Sequence, residues 1–269
     1  TAKTPRPFVI DRYAFKSDGS GYIGPEHQHL YVFDVATRHL EPLTPGSFDE
    51  ASPAWSPDGR WIAFVSNRTS DPDRTDNTDV YVIEARAGAT PRRLTNYDGP
   101  DDGPLAWSPD GARIAFLRGS PPRYGAYNSN TLATVPVAAC SGRDVCPPRL
   151  LTADLDRSVT EPQWSRDGRQ MIWKSDRNGL RGFSNSSRRQ QDVYAMPFSG
   201  SGFQDRITKL TPSAGMLTDV LRINHNLFYL IKSGPVYQLW KTGIAAKQAA
   251  MLASVKAEDC ALQTDAAQE

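Results

Sequence analysis

A ten-residue stretch recurs almost unchanged along the chain and leaves it few folds to choose from. Trp55-Ser56-Pro57-Asp58-Gly59-Arg60-Trp61-Ile62-Ala63-Phe64 returns as Trp107-Ser108-Pro109-Asp110-Gly111-Ala112-Arg113-Ile114-Ala115-Phe116. It returns again, worn, as Trp164-Ser165-Arg166-Asp167-Gly168-Arg169-Gln170-Met171-Ile172-Trp173. Each copy reads as strand, tight turn, strand: proline presets φ at the second turn position, Asp bonds its own backbone, and Gly takes the left-handed conformation that closes the hairpin. Beyond the turn, Ile62 and Phe64 point to one face of the strand, and Trp61 and Ala63 to the other. Both faces are apolar, as in a small sheet packed between two neighbours. The tryptophans stand 52 and 57 residues apart, room for about four strands per unit.

A second mark alternates with the first. Leu43-Thr44, Leu94-Thr95, Leu151-Thr152 and Leu210-Thr211 each close a unit. The last three follow strands of one type, 79–83, 132–135 and 192–196. Each unit thus holds an inner and an outer hairpin. Ahead of the first full copy, Phe8-Val9-Ile10 and Arg12-Tyr13-Ala14-Phe15 read as strands, then a turn over Ser17 to Gly21, then a strand from His29 to Val35. At the far end Leu227 to Ile231 and Val236 to Trp240 are strands, and Met251-Leu252-Ala253 stands where Leu-Thr is expected. The alanine-rich piece from Ala245 to Ala253 reads as the last strands rather than a helix. The fold class expected is all-β: a β-propeller of four-stranded antiparallel blades, about five in this chain, near 7–47, 48–98, 99–155, 156–214 and 215–256. Residues 1–256 form that domain and 257–269 a tail or linker.

Formal charge is +1, from 31 basic and 30 acidic residues. No net field draws the chain to nucleic acid or an anionic membrane, and no apolar run approaches the ~18 residues of a membrane span. The chain begins Thr1-Ala2-Lys3, without methionine or signal peptide, and reads as processed or as an excised fragment. Cys140 and Cys146 flank a polar loop. They are bridged across it in an oxidising compartment and free in a reducing one, while Cys260 has no evident partner. The compartment is not fixed, with a periplasmic or secreted setting favoured over the cytoplasm. No cofactor is implied.

Several clusters invite a chemical reading and meet a plainer one. Residues 71–79 are dense in carboxylates, but a calcium loop of the EF-hand kind needs a glycine that is missing here, and Arg74 lies inside. An interstrand loop is the better reading. His27 and His29 face one side without a third metal ligand, and the cysteines lack the histidines a tetrahedral site would need, so no metal site is expected. Trp55, Trp107, Trp164, Phe64 and Phe116 are expected in the core. Peptide contacts are expected from a tyrosine-rich loop, through Arg123, Tyr124 and Tyr127, because arginine pairs with carboxylates and loops carry function. No catalytic residue is expected. There is no G-x-S-x-G elbow, and none of the four histidines accompanies a serine in a strained turn.

The pattern WSPDG-x-x-IAF at Trp55, with Asp79-Val80-Tyr81-Val82 and Arg92-Arg93-Leu94-Thr95 after it, resembles the propeller repeats of the prolyl oligopeptidase family. Its acylaminoacyl- and dipeptidyl-peptidase-like branches are the nearest in pattern, and the repeat is shared with TolB and tricorn-type proteases. The stretch from Val9 to Val32 is similar to a mid-propeller segment of the peptidases. Lys174 to Leu180, with Arg189 to Met196, is similar to tricorn-type propellers. In such enzymes a separate α/β-hydrolase domain carries the nucleophile. The resemblance therefore implies a non-catalytic propeller that gates or binds peptide substrates, with a hydrolase domain in the full-length protein. A stand-alone TolB-like propeller that grips a partner protein is the alternative, as is the channelling propeller of a tricorn-type protease. Some dipeptidyl peptidases hold the substrate amine with paired acids. Asp49-Glu50 is such a pair, although it precedes a hairpin rather than sitting on a helix.

Overall fold

The computed structural model describes residues 9–10, 12–19, 21–120, 129–139, 145–155, 157–176, 191–199, 202–203, 207–211, 216–223, 226–244 and 249–256. Among them the regular structure is β-strand, apart from one short 3-10 turn at Pro72–Arg74. Two small hairpins come first: β1 (Lys16–Ser17) with β2 (Gly21–Tyr22), and β3 (Tyr31–Asp34) with β4 (His39–Pro42). Four antiparallel meanders follow. The first runs β5 (Glu50–Trp55), β6 (Trp61–Ser66), β7 (Asp79–Glu84), β8 (Arg92–Arg93), and the second β9 (Asp101–Trp107), β10 (Arg113–Arg118), β11 (Thr131–Pro136), β12 (Arg149–Leu150). The third has β13 (Val159–Trp164), β14 (Gln170–Asp176) and β15 (Gln191–Ser199), with β16 (Gly202–Phe203) and β17 (Thr208–Lys209) both paired to β15. The last is β18 (Met216–Ile223), β19 (Asn226–Ser233), β20 (Val236–Gly243), β21 (Ala249–Lys256).

The strands expected over 8–10 and 12–15 are not formed in the described residues 9–10 and 12–15. A side chain has taken the place of a ladder there. The Arg12 guanidinium donates to both carboxylate oxygens of Asp73, at 2.9 and 2.5 Å, and the Ala14 N–H donates to the same group at 3.2 Å. With its donor satisfied by Asp73, this backbone gains less from pairing with a strand.

The turns of the repeated motif share one hydrogen-bond pattern. In the first, the Gly59 N–H donates to the Ser56 carbonyl at 3.0 Å, the Ser56 hydroxyl to Asp58 at 2.6 Å, and the Trp61 N–H to the Ser56 hydroxyl at 2.9 Å. The copies at Ser108 and Ser165 repeat all three bonds. Gly59 sits at φ +70 with nothing within 4 Å of where a Cβ would stand. Gly59→Val is therefore expected to cost about 1–3 kcal/mol through backbone strain alone. Gly59→Asn should cost less, since Asn visits the left-handed region more readily. Thermal melting checks the pair, and equal melting temperatures for wild type and both variants would rule this turn geometry out.

Alternation along each strand divides its side chains between two neighbouring sheets. Ile62 and Phe64 pack with Leu30, Leu43, Tyr81 and Ile83, whereas Ala63 and Val65 pack with Ile114 and Phe116. Ala115 and Leu117 pack with Met171 and Trp173, and Ile172 turns to Leu227 and Tyr229. Each inner sheet thus gives one face to each neighbour. Phe64, Phe116 and Trp164 are buried as expected. Trp107 is half-buried, and Trp55 departs from expectation at 53% exposure. An indole ladder explains the difference: Trp107 Nε1 donates to the Ala54 carbonyl at 2.9 Å and Trp164 Nε1 to the Ala106 carbonyl at 3.2 Å. Each indole reaches back one sheet. Among its described residues the unit before Trp55 offers only short hairpins and no matching first strand.

The Leu-Thr mark has a physical role of its own. The Thr95 hydroxyl accepts from the Val80 N–H at 3.0 Å and donates to Asp79 at 3.0 Å. Thr211 does the same for Val193 and Asp192, at 3.2 and 2.9 Å. A cation one residue before each Leu-Thr completes the clasp, Arg93 on Asp79 at 2.5 Å and Lys209 on Asp192 at 2.8 Å. Thr152 keeps the backbone half, accepting from the Leu132 N–H at 2.9 Å. Cys146 is buried and disulfide-bonded, while Cys140 and Cys260 lie outside the described residues.

Candidate functional site

Arg123, Tyr124 and Tyr127, the residues expected to touch a peptide, lie outside the described residues. The other sequence candidates are placed, and most are absorbed by structure. Glu50 is buried. It accepts from Arg68 at 2.8 Å and from the Thr44 hydroxyl at 2.7 Å, and it pairs with His29 Nδ1 at 3.0 Å. Asp49 accepts the Gln28 N–H at 2.6 Å and lies 3.4 Å from His27 Nδ1. These acids hold their own chain, so they do not form an unoccupied pair waiting for a substrate amine. Among the described residues no group of three or more His, Cys, Asp or Glu is placed to hold a metal.

Two clefts compete for the role of a binding site. The larger, about 610 Å³, lies beside the 3-10 turn among Arg12, Tyr13, His27, Asp49 and Asp71 to Arg74. Its charges are matched internally: Arg12 with Asp73, Arg74 with Asp71 at 3.0 Å, and the Arg74 guanidinium over the Tyr13 ring. Arg12 accordingly holds the Asp73 carboxyl below the usual range. The cleft is therefore best read as an inner clasp.

The second cleft, about 410 Å³, opens between the first strands of all four meanders. Trp55 comes from β5, Trp107 from β9, Gln163 and Trp164 from β13, and Arg222 from β18; Pro57 and Pro109 of the turns wall its mouth. Its position follows from the fold, because β5 lies against β9 and β9 against β13. The first strands β5 and β13 each bulge before their tryptophan. Ser52 and Glu161 hold φ of 53 and 50 degrees, and the register shifts between Ala51 and Ala54 and between Thr160 and Gln163. Strain of this kind gathers at functional sites. The sequence carries a signal for these irregular strands: Pro53 and Pro162 stand two residues before their tryptophans and Pro104 three, and a proline removes a ladder donor.

One titratable group has a measurable consequence. Burial pushes the Asp79 carboxyl up to about 6 against the pull of Arg93 and Thr95, with Asp101 adding repulsion. An acid whose folded pKa is raised stabilises the fold below its unfolded value, here 3.8, and that stability is lost as pH rises to about 6. At about 1.36 kcal/mol per pKa unit the loss is on the order of 2–3 kcal/mol. Asp79→Asn removes the titration while keeping an acceptor for Thr95. The difference in unfolding free energy between wild type and this variant should change from about pH 3.8 through about pH 6 and flatten about one unit above that; a difference constant throughout would contradict the raised pKa.

Comparison with known proteins places these sheets. No family profile matches the chain. A probable dipeptidyl-peptidase 5 of Aspergillus flavus is 25% identical over 203 residues, which cover 72% of this chain and 25% of that protein. The uncharacterized peptidase YuxL of Bacillus subtilis is 31% identical over 77 residues, 29% of this chain and 12% of that one. Among solved structures, TolB from Acinetobacter baumannii matches with TM-score 0.53 at 20% identity, over 83% of this chain and 48% of its own. The acylaminoacyl peptidase of Pyrococcus horikoshii matches with TM-score 0.60 at 13% identity, over 97% and 36%. The β-propeller domain of the Trilobed protease from Pyrococcus furiosus matches with TM-score 0.54 at 14% identity, over 83% and 60%. The meanders are propeller blades. The expected likeness to peptidase and TolB propellers holds at the level of the fold, and the chain spans a quarter or less of the curated relatives it matches.

Proposed function

We propose that the chain is a non-catalytic β-propeller of a serine-peptidase-type protein, with about five blades, complete or part of a larger propeller, near 7–47, 48–98, 99–155, 156–214 and 215–256. It admits or holds peptide substrates at the cleft between the first strands of its blades, and a hydrolase domain lies elsewhere in the full-length protein. The observation that carries this reading is the convergence of four blades on one cleft walled by Trp55, Trp107, Pro57 and Pro109, in a chain similar to dipeptidyl peptidases over most of its length. Cys146, being disulfide-bonded, supports an oxidising setting, periplasmic or secreted. No described helix is long and apolar enough to cross a membrane.

The chemistry of acyl transfer supports a non-catalytic role. A serine hydroxyl needs a histidine to take its proton and an acid to orient that histidine. Among the described residues no serine hydroxyl bonds a histidine, and His29 faces Glu50 instead. Incubation with a fluorophosphonate probe should leave the chain unlabelled, while titration calorimetry should detect binding of short unfolded peptides. Stoichiometric labelling of one serine, abolished by changing one histidine, would replace this reading with an enzyme. Absence of any peptide binding would remove the gating role.

A further inference from the structure

The cleft between the blades is unevenly supplied with polar groups. Arg166, Arg222, the Gln163 amide and the Trp55 indole line it, and among the described residues no Asp or Glu does. Trp107 and Trp164 give their indole N–H groups to the preceding blade. Trp55 occupies the same rung with no carbonyl behind it, so its N–H has no described partner and its ring lies half open. Arg222 is the sharper anomaly. Arg12, Arg68 and Arg118 each meet a carboxylate. Arg222 meets no described anion, acceptor or ring. It is exposed to solvent, and the cleft beside it desolvates it enough to lower its pKa from the ordinary arginine value.

We propose that this cleft recognises the C-terminal carboxylate of a peptide, with Arg222 pairing the carboxylate and Trp55 carrying the terminal side chain on its open face. The proposal rests on the peptide-binding reading above and narrows it. A planar guanidinium grips a carboxylate through two parallel N–H donors. An indole offers a flat apolar face with one donor at its edge, which suits an apolar last residue and its backbone carbonyl. The volume, about 410 Å³, is in the roughly 300–1,000 Å³ range of small-ligand sites, so it suits a chain end rather than a folded surface. An acidic saccharide would share the arginine and the aromatic platform. It would also need acceptors for its many hydroxyls, and the described lining supplies no carboxylate for that.

Titration calorimetry on the chain tests the proposal with one N-acetylated pentapeptide ending in Phe, prepared as the free acid and as the C-terminal amide, and with trigalacturonate. The acid should bind about tenfold or more tighter than the amide, as expected for a charge-assisted contact. Arg222→Gln should erase that preference without moving the melting temperature, and Trp55→Ala should weaken acid and amide alike. Equal binding of acid and amide by wild type overturns the carboxylate proposal and leaves the peptide reading standing. A preference that survives Arg222→Gln overturns the assignment of that residue. Binding of neither peptide overturns both readings. Tighter binding of trigalacturonate, lost in Arg222→Gln, replaces the peptide with an acidic sugar.

Discussion

Glu50→Ala is expected to lower the unfolding free energy by about 3–5 kcal/mol, the range for removing one partner from a buried ion pair. The Glu50 side chain is 1% exposed and serves three groups at once: Arg68, His29 and the Thr44 hydroxyl. The Arg68 guanidinium also lies over Tyr81 at 4.9 Å, Phe48 at 5.5 Å and Phe64 at 5.6 Å. Without the carboxylate that cation keeps only its aromatic faces and a 3.3 Å bond to the Ser66 hydroxyl, and the Thr44 hydroxyl loses its acceptor where the first hairpins meet the first meander. Glu50→Gln keeps one acceptor and the volume, and should cost roughly half as much. Urea unfolding at constant m-value reads the difference as a shift in midpoint. A midpoint for Glu50→Ala equal to that of wild type would mean that this joint contributes nothing in solution.

Phe116→Ala should cost about 3–5 kcal/mol as well, by a different route: loss of transfer energy and a cavity between two blades. Phe116 is fully buried among Val65, Val80, Ile114 and Val135. Trp55→Ala deletes a larger ring from the same repeat and should stay within about 0.5 kcal/mol of wild type, because Trp55 is half open and bonds nothing described. Thermal melting of both variants compares them. If Trp55→Ala proves as damaging as Phe116→Ala, the ring is covered in solution and is not available to a ligand.

The repeat was legible because its signals are local. Proline, Asp and Gly in one turn, and apolar residues on both faces of one strand, are rules of neighbouring residues, and they yield the hairpins and the two-sided packing directly. The Leu-Thr mark was visible as a period, yet its reason, a hydroxyl clasped between a backbone N–H and Asp79, lies across a strand pair and appears only in three dimensions. The first strands failed because Asp73, far along the chain, captured the backbone of Ala14. Trp55 was misplaced because a repeat predicts equivalent surroundings, and the unit before it does not supply them. Arg222 carried no signal at all: its interest lies in the lack of any described anion beside it once four separate strands have come together.

The indole ladder also bears on how such a chain can change its length. Two successive joints, from the first meander to the second and from the second to the third, are made from the same two parts, an indole donor on one unit and an alanine carbonyl on the unit before. The parts at Ala54 and Trp107 are chemically interchangeable with those at Ala106 and Trp164. If the meander between them were excised, Trp164 would be presented to Ala54, the same kind of partner it already has. An array joined in this way can gain or lose whole modules without inventing a contact, whereas the loss of half a module would leave a donor and a sheet face unmatched.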